Sequence, residues 1–321
     1  MTVVGFATPV QTLLPKVEER MRSLSNGYSA EINIALDHLI DAGGKRVRPT
    51  VTLLVSSMLG VEEHRGVTLA AAVELLHTAT LVHDDLIDGA LLRRGNATLN
   101  AQWNLAATVL AGDFLFSQAA WLAAEVDSVD TMKMFAQTLS TIVDGEIGQA
   151  FALNSLTTRE EYYERIYAKT ASMFELAARA PAYLTSTDAR VSNALFTFGH
   201  EIGLAFQVID DVLDFSGDIE TVGKPVAHDL QQGLLTLPSI YYLEENPDDE
   251  ALGELLNGNT LEVVEAEALA MAIRQSGAVQ RAIEDAEKLR GRARDALSAL
   301  PASDERQALY DLTEYVVSRL H

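Results

Sequence analysis

The stretch LLHTATLVHDDLID at residues 75–88 and its counterpart IGLAFQVIDDVLD at residues 202–214 decide the fold of this chain. Each is an apolar run with helical periodicity that ends in the same acidic pattern, Asp-Asp-x-x-Asp. Positions i and i+4 of a helix share one face with i+1 beside them, so each pattern predicts a carboxylate cluster at a helix end. Oxygen ligands without Cys or paired His favour Mg²⁺, which keeps coordination positions open for phosphate oxygens. The sequence therefore predicts two acidic helix ends that hold Mg²⁺ around a diphosphate.

The rest of the chain indicates a single all-α domain over residues 1–321. Apolar residues recur at three- and four-residue spacing in almost every segment, and no stretch alternates as the strands of a sizeable sheet do. A hydrophobic fraction of 48% is sufficient for a large core. The breaks between helical segments are short, so we expect no linker and no second domain.

The composition excludes several classes of protein. A net charge of −22 opposes general binding of nucleic acid, and a chain without Cys has neither disulfides nor a zinc–thiolate site. The lack of Cys suits a cytoplasmic protein, and we expect no transmembrane segment and no signal peptide. Because a diphosphate is itself anionic, metal ions and local basic residues must reverse the negative potential at the site.

Four basic segments are candidates for contacts with phosphate. They are Gly43-Gly44-Lys45-Arg46-Val47-Arg48-Pro49, Arg93-Arg94-Gly95, Lys169-Thr170 and Gly223-Lys224-Pro225. Arginine offers a planar fork for bidentate phosphate contact, and glycine permits close approach of the backbone. His77 and Gln207 lie two turns and one turn before the acidic clusters, on nearly the same helix faces. The alternatives are a basic helix start for the first segment, a solvated loop for the second and a core position for His77.

Together these segments resemble the all-trans polyprenyl diphosphate synthases, a branch of the isoprenyl diphosphate synthase family. The resemblance extends from about Gly43 to Pro238, and its motifs are specific in combination. It implies the isoprenoid synthase fold, which is a bundle of long helices around a deep central cavity. It also implies a homodimer.

The resemblance further implies a reaction and a role for each matching residue. The reaction is a head-to-tail condensation of isopentenyl diphosphate with an allylic diphosphate. In the family, two or three Mg²⁺ ions are bound together with the substrate diphosphate. The residues that hold these ions match Asp84, Asp85, Asp88, Asp210, Asp211 and Asp214. Contacts to isopentenyl diphosphate match Lys45, Arg48, His77 and Arg94. Contacts to the allylic diphosphate match Arg93, Lys169 and Lys224, with Thr170 and Gln207 beside them. Catalytic roles are expected for Asp84, Asp85, Asp88, Asp210, Asp211 and Lys169.

The chain departs from the family pattern at two places. Leu234 occupies the position of a frequent lysine, so one contact to the allylic diphosphate is missing and weaker binding of that substrate is expected. Asn96-Ala97 replaces a frequent basic-proline pair.

Small residues before the first acidic motif predict a medium- or long-chain product. Short-chain synthases tend to carry an aromatic residue four or five positions before this motif, where this chain has Thr80 and Ala79. A tunnel for the growing chain would then continue toward Leu76. The alternative is that these small residues only allow close helix packing.

Several other functions remain open from the sequence. One is a short-chain farnesyl or geranylgeranyl diphosphate synthase, and another is a class I terpene cyclase, which also uses an aspartate cluster with Mg²⁺. A third is the catalytic subunit of a heteromeric synthase, and a fourth is a non-catalytic helical partner. Two intact motifs favour an active chain that joins two substrates.

Overall fold

The computed structural model describes residues 5–151, 158–215, 228–231, 233–256, 259 and 261–319. The chain divides into two compact units. The first comprises Met1–Leu139, Met173–Gly199 and Ala296–Leu312, and the second comprises Ser140–Ser172, His200–Asp295 and Thr313–His321. The predicted all-α class is confirmed, whereas the single domain and the deep central cavity remain predictions.

Helices account for nearly all of the described residues. In chain order they are α1 (Leu14–Arg22), α2 (Ala30–Asp41), α3 (Val47–Met58), α4 (Glu63–Ile87), α5 (Leu99–Gln102), α6 (Leu105–Glu125), α7 (Val129–Phe151), α8 (Arg159–Ile166), α9 (Ser172–Arg179), α10 (Ala189–Phe215), α11 (His228–Gln231), α12 (Leu237–Glu245), α13 (Glu250–Leu256), α14 (Val263–Ser276), α15 (Ala278–Leu297) and α16 (Asp304–Ser318). Short 3₁₀ segments cover Gly5–Val10, Ser23–Ser25 and Ala180–Leu184, and a π-helical turn covers Tyr167–Ala171.

Helix α4 forms the centre of the first unit. Every residue from Gly66 to Leu76 is buried, as expected for a helix that is apolar on all faces. It packs against α1, α3 and, most extensively, α6. Gly112 of α6 permits this contact, since a Cβ at that position would overlap the His83 ring of α4. The acidic end of α4 is thereby fixed to a rigid core.

A tight hairpin follows the end of α4. Asp88 is the C-cap residue, and Gly89, with φ of 63°, turns the chain away from the helix. Strands β1 (Leu92–Arg93) and β2 (Asn96–Ala97) then pair in antiparallel register. The two residues between them, Arg94 and Gly95, have φ of 52° and 79°, as in the type I′ turns that suit two-residue hairpins.

The second unit contains α8, the π-helical turn and the end of α10. Thr158 and Glu161 form a capping box that starts α8. Side-chain spacing then changes at the π-helical turn, a feature often found at functional sites. Arg165 of α8 donates through Nη2 to the Leu235 carbonyl, 2.6 Å away, and so connects α8 to the segment before α12.

Among the residues that the structure describes, two helices are long and apolar enough to span a membrane by length and composition. In α4, 78% of the most apolar window is buried within the protein, as is usual for a core helix. In α6 the corresponding share is 28%. Length and composition of one or two such helices are weak evidence for a membrane span.

Candidate active site

The first acidic motif lies at the C-terminal end of α4. Asp84 and Asp85 belong to its last turn and Asp88 is its C-cap, so all three carboxylates stand at the negative end of the helix dipole. Asp85 is only 6% exposed, and its Oδ1 accepts a hydrogen bond from Arg93 Nε at 2.7 Å. Asp88 is exposed. Three carboxylates at a helix C-terminus add to the negative potential of the helix dipole, and this potential favours a nearby cation.

The two arginines after the motif lie in the β1–β2 hairpin and contact other residues. The sequence alone also allowed a solvated loop at this place. Arg93 on β1 forms the ion pair with Asp85, and Arg94 occupies the turn. The Arg94 guanidinium donates through Nη1 to the Gly43 carbonyl. A Cβ on Gly44 would lie 2.6 Å from Arg94 Nη1, so a side chain at position 44 would displace this guanidinium from its present place beside the backbone. The hairpin therefore brings two of the predicted basic segments together.

Arg48 and His77 form the predicted basic pair. Arg48 Nη1 lies 3.2 Å from His77 Nε2, and its guanidinium stands over the Phe174 ring at 4.9 Å. Burial, and then the positive charge of Arg48 and Arg94, lower the pKa of His77 well below its ordinary value. His77 is therefore neutral near pH 7. Lys45, three residues before Arg48 in the sequence, is exposed.

Arg46, in the same basic segment, is a buried structural residue. It adopts a left-handed conformation with φ of 50° immediately before α3 and is only 6% exposed. Its Nη1 donates to Glu74 Oε1 at 2.7 Å, and its Nε donates to Glu18 Oε1 at 3.0 Å. Glu74 is the lone acidic residue in the apolar run of α4. Because a buried charge needs a partner, Glu74 was the one sequence signal of this buried ion pair.

The second acidic motif lies within the last two turns of α10. Asp211 is 6% exposed, and its two oxygens accept hydrogen bonds from Tyr162 Oη at 2.7 Å and Gln207 Nε2 at 2.8 Å. Asp210 Oδ1 forms an ion pair with Arg319 Nη2 at 2.6 Å. Asp214 Oδ2 accepts from the Asp229 backbone N–H at 3.2 Å. Desolvation by burial raises the pKa of Asp211 to about 6, so this carboxyl group would gain from a bound cation.

Lys169 and Thr170 lie together in the π-helical turn. Lys169 Nζ forms an ion pair with Glu146 Oε1 at 2.9 Å. Thr170 Oγ1 donates to Gln207 Oε1 at 2.6 Å, so the structure brings these two predicted residues together. Lys224, in the predicted Gly223-Lys224-Pro225 segment, lies outside the described residues.

The residues predicted to control product length lie along α4. Leu76 and Ala79 are fully buried, and Thr80 is half-buried with its hydroxyl bonded to the His77 carbonyl at 2.8 Å. The tunnel remains a prediction.

The donor set fits Mg²⁺ in its chemistry. In the described part of the chain, no group of three or more acidic or imidazole side chains is close enough to hold a metal ion as it stands. One carboxylate of each motif nevertheless already forms an ion pair with an arginine. Asp85 pairs with Arg93, and Asp210 pairs with Arg319. Carboxylate oxygens are the ligands that Mg²⁺ prefers, and a bound ion would compete with these guanidinium groups.

Comparison with known proteins agrees with the all-α fold. The polyprenyl synthetase family profile matches residues 29–273. The prenyl transferase of Synechocystis sp. is 36% identical over 325 residues and covers 100% of both chains. The octaprenyl diphosphate synthase of Haemophilus influenzae is 37% identical and covers 88% of this chain and 86% of its own. The crystal structure of a polyprenyl synthase from Caulobacter crescentus, complexed with calcium and isoprenyl diphosphate, has a TM-score of 0.91 at 34% identity. It covers 98% of this chain and 96% of that one.

The all-α fold and these relatives define an enzyme of the prenyltransferase class. The chain belongs to the polyprenyl synthetase family. The family and the enzyme class predicted from the sequence are thus confirmed. Prenyl transfer toward a medium- or long-chain product agrees with these relatives.

Proposed function

We propose that this chain condenses isopentenyl diphosphate with an allylic diphosphate, head to tail and with Mg²⁺, to make an all-trans polyprenyl diphosphate. The observation that carries this proposal is the position of the six motif aspartates, each within the last two turns or at the C-cap of a core helix. Family membership and the similarity to an octaprenyl diphosphate synthase support it.

The aspartates are proposed to hold two or three Mg²⁺ ions together with the substrate diphosphate. When bound, the metal would stabilise the negative charge that develops as the allylic C–O bond breaks. Burial of Asp85 and Asp211 limits competition from water at these carboxylates. Their present partners, Arg93 for Asp85 and Tyr162 and Gln207 for Asp211, keep the side chains oriented.

The basic residues of the first unit are proposed to bind isopentenyl diphosphate. Arg48 and His77 are in contact, and Arg94 is close enough to contribute to the lowered pKa of His77. Arg48 supplies charge, whereas the neutral His77 supplies a hydrogen bond. Lys45 completes the proposed set with an exposed ammonium group.

The remaining basic residues are proposed to bind the allylic diphosphate. They are Arg93, Lys169 and Lys224, with Thr170 and Gln207 as polar neighbours. Lys169 and Arg93 now neutralise Glu146 and Asp85. A diphosphate would compete for these cations, because it offers more negative oxygens than one carboxylate does.

The proposed chemistry passes through a carbocation that water would destroy. The alkene of isopentenyl diphosphate attacks the allylic cation, a new carbon–carbon bond forms and a proton leaves the adjacent carbon. The released pyrophosphate is the proposed acceptor of that proton. Buried apolar residues of α4, such as Leu76 and Ala79, are proposed to line the path of the growing chain and to exclude water.

A homodimer is proposed to form through α6. Leu105, Leu110 and Trp121 on this helix are each at least 65% exposed, which leaves a large apolar surface uncovered. We also propose a cytoplasmic location, with no transmembrane segment and no nucleic-acid partner. The net charge of −22 opposes general binding of nucleic acid.

One experiment separates the proposed activity from its alternatives. The purified chain is incubated with Mg²⁺ and farnesyl diphosphate, first alone and then with labelled isopentenyl diphosphate, and the dephosphorylated products are chromatographed. We expect a labelled polyprenyl product only when both substrates are present. A cyclic hydrocarbon made from farnesyl diphosphate alone would indicate a terpene cyclase. A product that ends at geranylgeranyl diphosphate would indicate a short-chain synthase. The absence of any product would contradict the proposal that the chain is active by itself.

A further inference from the structure

Tyr162 is a buried residue of α8 whose hydroxyl group contacts the second acidic motif. Its side chain has no exposed surface, and Oη donates to Asp211 Oδ2 at 2.7 Å. The ring packs edge-on against Tyr163 at 5.4 Å, and the Arg165 guanidinium stands over it at 5.5 Å. The enclosed hydroxyl group thus reaches the second acidic motif at Asp211.

The other oxygen of Asp211 is held by a second donor. Gln207 Nε2 donates to Asp211 Oδ1 at 2.8 Å, and Gln207 Oε1 accepts from Thr170 Oγ1 at 2.6 Å. The carboxylate is therefore restrained at both oxygens. The same chain of hydrogen bonds links the π-helical turn, which carries Lys169, to the helix that carries Asp210 and Asp211.

We propose that Tyr162 is a positioning residue of the metal–diphosphate site, which sets the orientation of the Asp211 carboxylate. This inference rests on the proposed function for the role of Asp211. Groups that hydrogen-bond a metal ligand fix its orientation, and their removal typically weakens metal binding about 10- to 100-fold. A buried carboxylate needs this support most, because without the donor it loses an oxygen partner that water cannot replace.

The test compares Tyr162→Phe with Tyr163→Phe. Both substitutions remove one hydroxyl from neighbouring tyrosines and keep the ring, but Tyr163 Oη is directed to Asp285, 3.5 Å away, instead of the motif. Binding of Mn²⁺ in the presence of inorganic pyrophosphate is measured by electron paramagnetic resonance. We expect about 10- to 100-fold weaker binding for Tyr162→Phe and a change of less than about twofold for Tyr163→Phe. Equal affinities in wild type and Tyr162→Phe would overturn the inference.

A second measurement separates positioning from a loss of folding. A positioning role raises the Mg²⁺ concentration needed for half-maximal rate and leaves kcat at saturating Mg²⁺ within about threefold of wild type. A general folding defect lowers kcat and leaves the Mg²⁺ dependence unchanged, and that pattern would contradict the inference. In an Asp211→Asn background, Tyr162→Phe should cause little further loss of Mn²⁺ affinity, whereas a full additional loss would show that Tyr162 does not act through Asp211.

The metal-binding readout keeps this inference distinct from the proposed function. If wild type binds Mn²⁺ with pyrophosphate but makes no prenyl product, the proposed reaction fails while the ratio between the two tyrosine variants still decides the role of Tyr162. If wild type binds no Mn²⁺, the metal assignment and the role of Tyr162 both fail.

Discussion

Arg48 Nη1 lies 3.2 Å from His77 Nε2, and this contact fixes the state of the imidazole ring. Arginine can only donate, so Nε2 must accept, and the single ring proton of the neutral histidine resides on Nδ1. The lowered pKa of His77 agrees with this arrangement, because a second proton would bring two cations together. The first turn of α3 and the interior of α4 therefore meet in one defined hydrogen-bonded pair.

Arg48→Gln should weaken binding of isopentenyl diphosphate. The substitution removes a charge-assisted hydrogen bond, which is worth about 1.5–3 kcal/mol, so KM for this substrate should rise roughly 10- to 100-fold. KM for the allylic substrate should change much less. Steady-state kinetics with each substrate varied in turn provide the measurement. Arg22→Gln is the matched control, since Arg22 pairs with Asp37 and Asp41 on the surface of the first unit.

Stabilisation by Mg²⁺ should depend on pH through Asp211. Its folded-state pKa of about 6 lies above the ordinary value of 3.8, so the folded metal-free protein binds more protons between these values. The resulting contribution to stability, on the order of 3 kcal/mol, is complete below about pH 4 and is lost as the pH rises through 6. A bound cation favours the ionised form, and the extra stability from Mg²⁺ should therefore grow from pH 5 to pH 8.

Urea unfolding with and without Mg²⁺ across this pH range measures the effect. Asp211→Asn is the reference, because an asparagine amide does not ionise in this pH range. The pH dependence of the Mg²⁺ effect should therefore be smaller in that variant. An equal gain from Mg²⁺ at pH 5 and pH 8 in wild type would exclude a metal-linked carboxyl group of raised pKa.

Thr80→Phe should shorten the product. An aromatic ring at this half-buried position of α4 would block a tunnel toward Leu76, so chromatography should show fewer isoprene units per chain. Thr80→Val keeps the size of the side chain and serves as the control for the lost hydroxyl. If the phenylalanine variant folds and makes the wild-type product, Thr80 does not line the tunnel.

Leu234→Lys should strengthen binding of the allylic substrate. The half-buried Leu234 stands where the family resemblance implies a frequent lysine, and an ammonium group there would add one charged contact with phosphate. KM for the allylic diphosphate should fall roughly 5- to 20-fold, which corresponds to about 1–2 kcal/mol. Leu234→Met keeps an apolar side chain and should behave as wild type. An unchanged KM in the lysine variant would remove this position from the substrate site.

Trp121→Glu should disrupt the proposed dimer. Trp121 is 67% exposed on α6, and a charge buried without a partner at an interface is strongly unfavourable. Light scattering after size exclusion should give one chain for the variant and two for wild type. Val264→Glu, at an apolar position of α14 that is 75% exposed, is the control and should leave the mass unchanged. A dimeric Trp121→Glu would place the interface elsewhere.

The helical class and the two acidic helix ends could be predicted because both depend on local pattern. Apolar periodicity indicates a helix, and the spacing of Asp84, Asp85 and Asp88 places them together on it. The partners of these residues could not be predicted in the same way. Tyr162 and Arg319 reach the second motif only through tertiary packing, and no short-range spacing connects them with Asp210 or Asp211.

Backbone details were also beyond the sequence pattern. Arg46 and Arg94 adopt positive φ angles that their residue type does not favour, and each is held there by contacts with distant parts of the chain. Arg46 is held by Glu18 and Glu74, and Arg94 by the Gly43 carbonyl. The π-helical turn around Lys169 likewise carries no residue-type signature.

Electron paramagnetic resonance can count the Mn²⁺ ions bound per chain in the presence of an unreactive allylic thiolodiphosphate. This number tests most directly whether the motif aspartates hold metal ions together with the diphosphate. We predict two or three ions per wild-type chain, fewer after Asp84→Asn or Asp210→Asn, and weak binding when the thiolodiphosphate is omitted. Binding that ignores the thiolodiphosphate, or that survives the loss of both aspartates, would contradict the proposal that the motif aspartates hold Mg²⁺ with a substrate diphosphate.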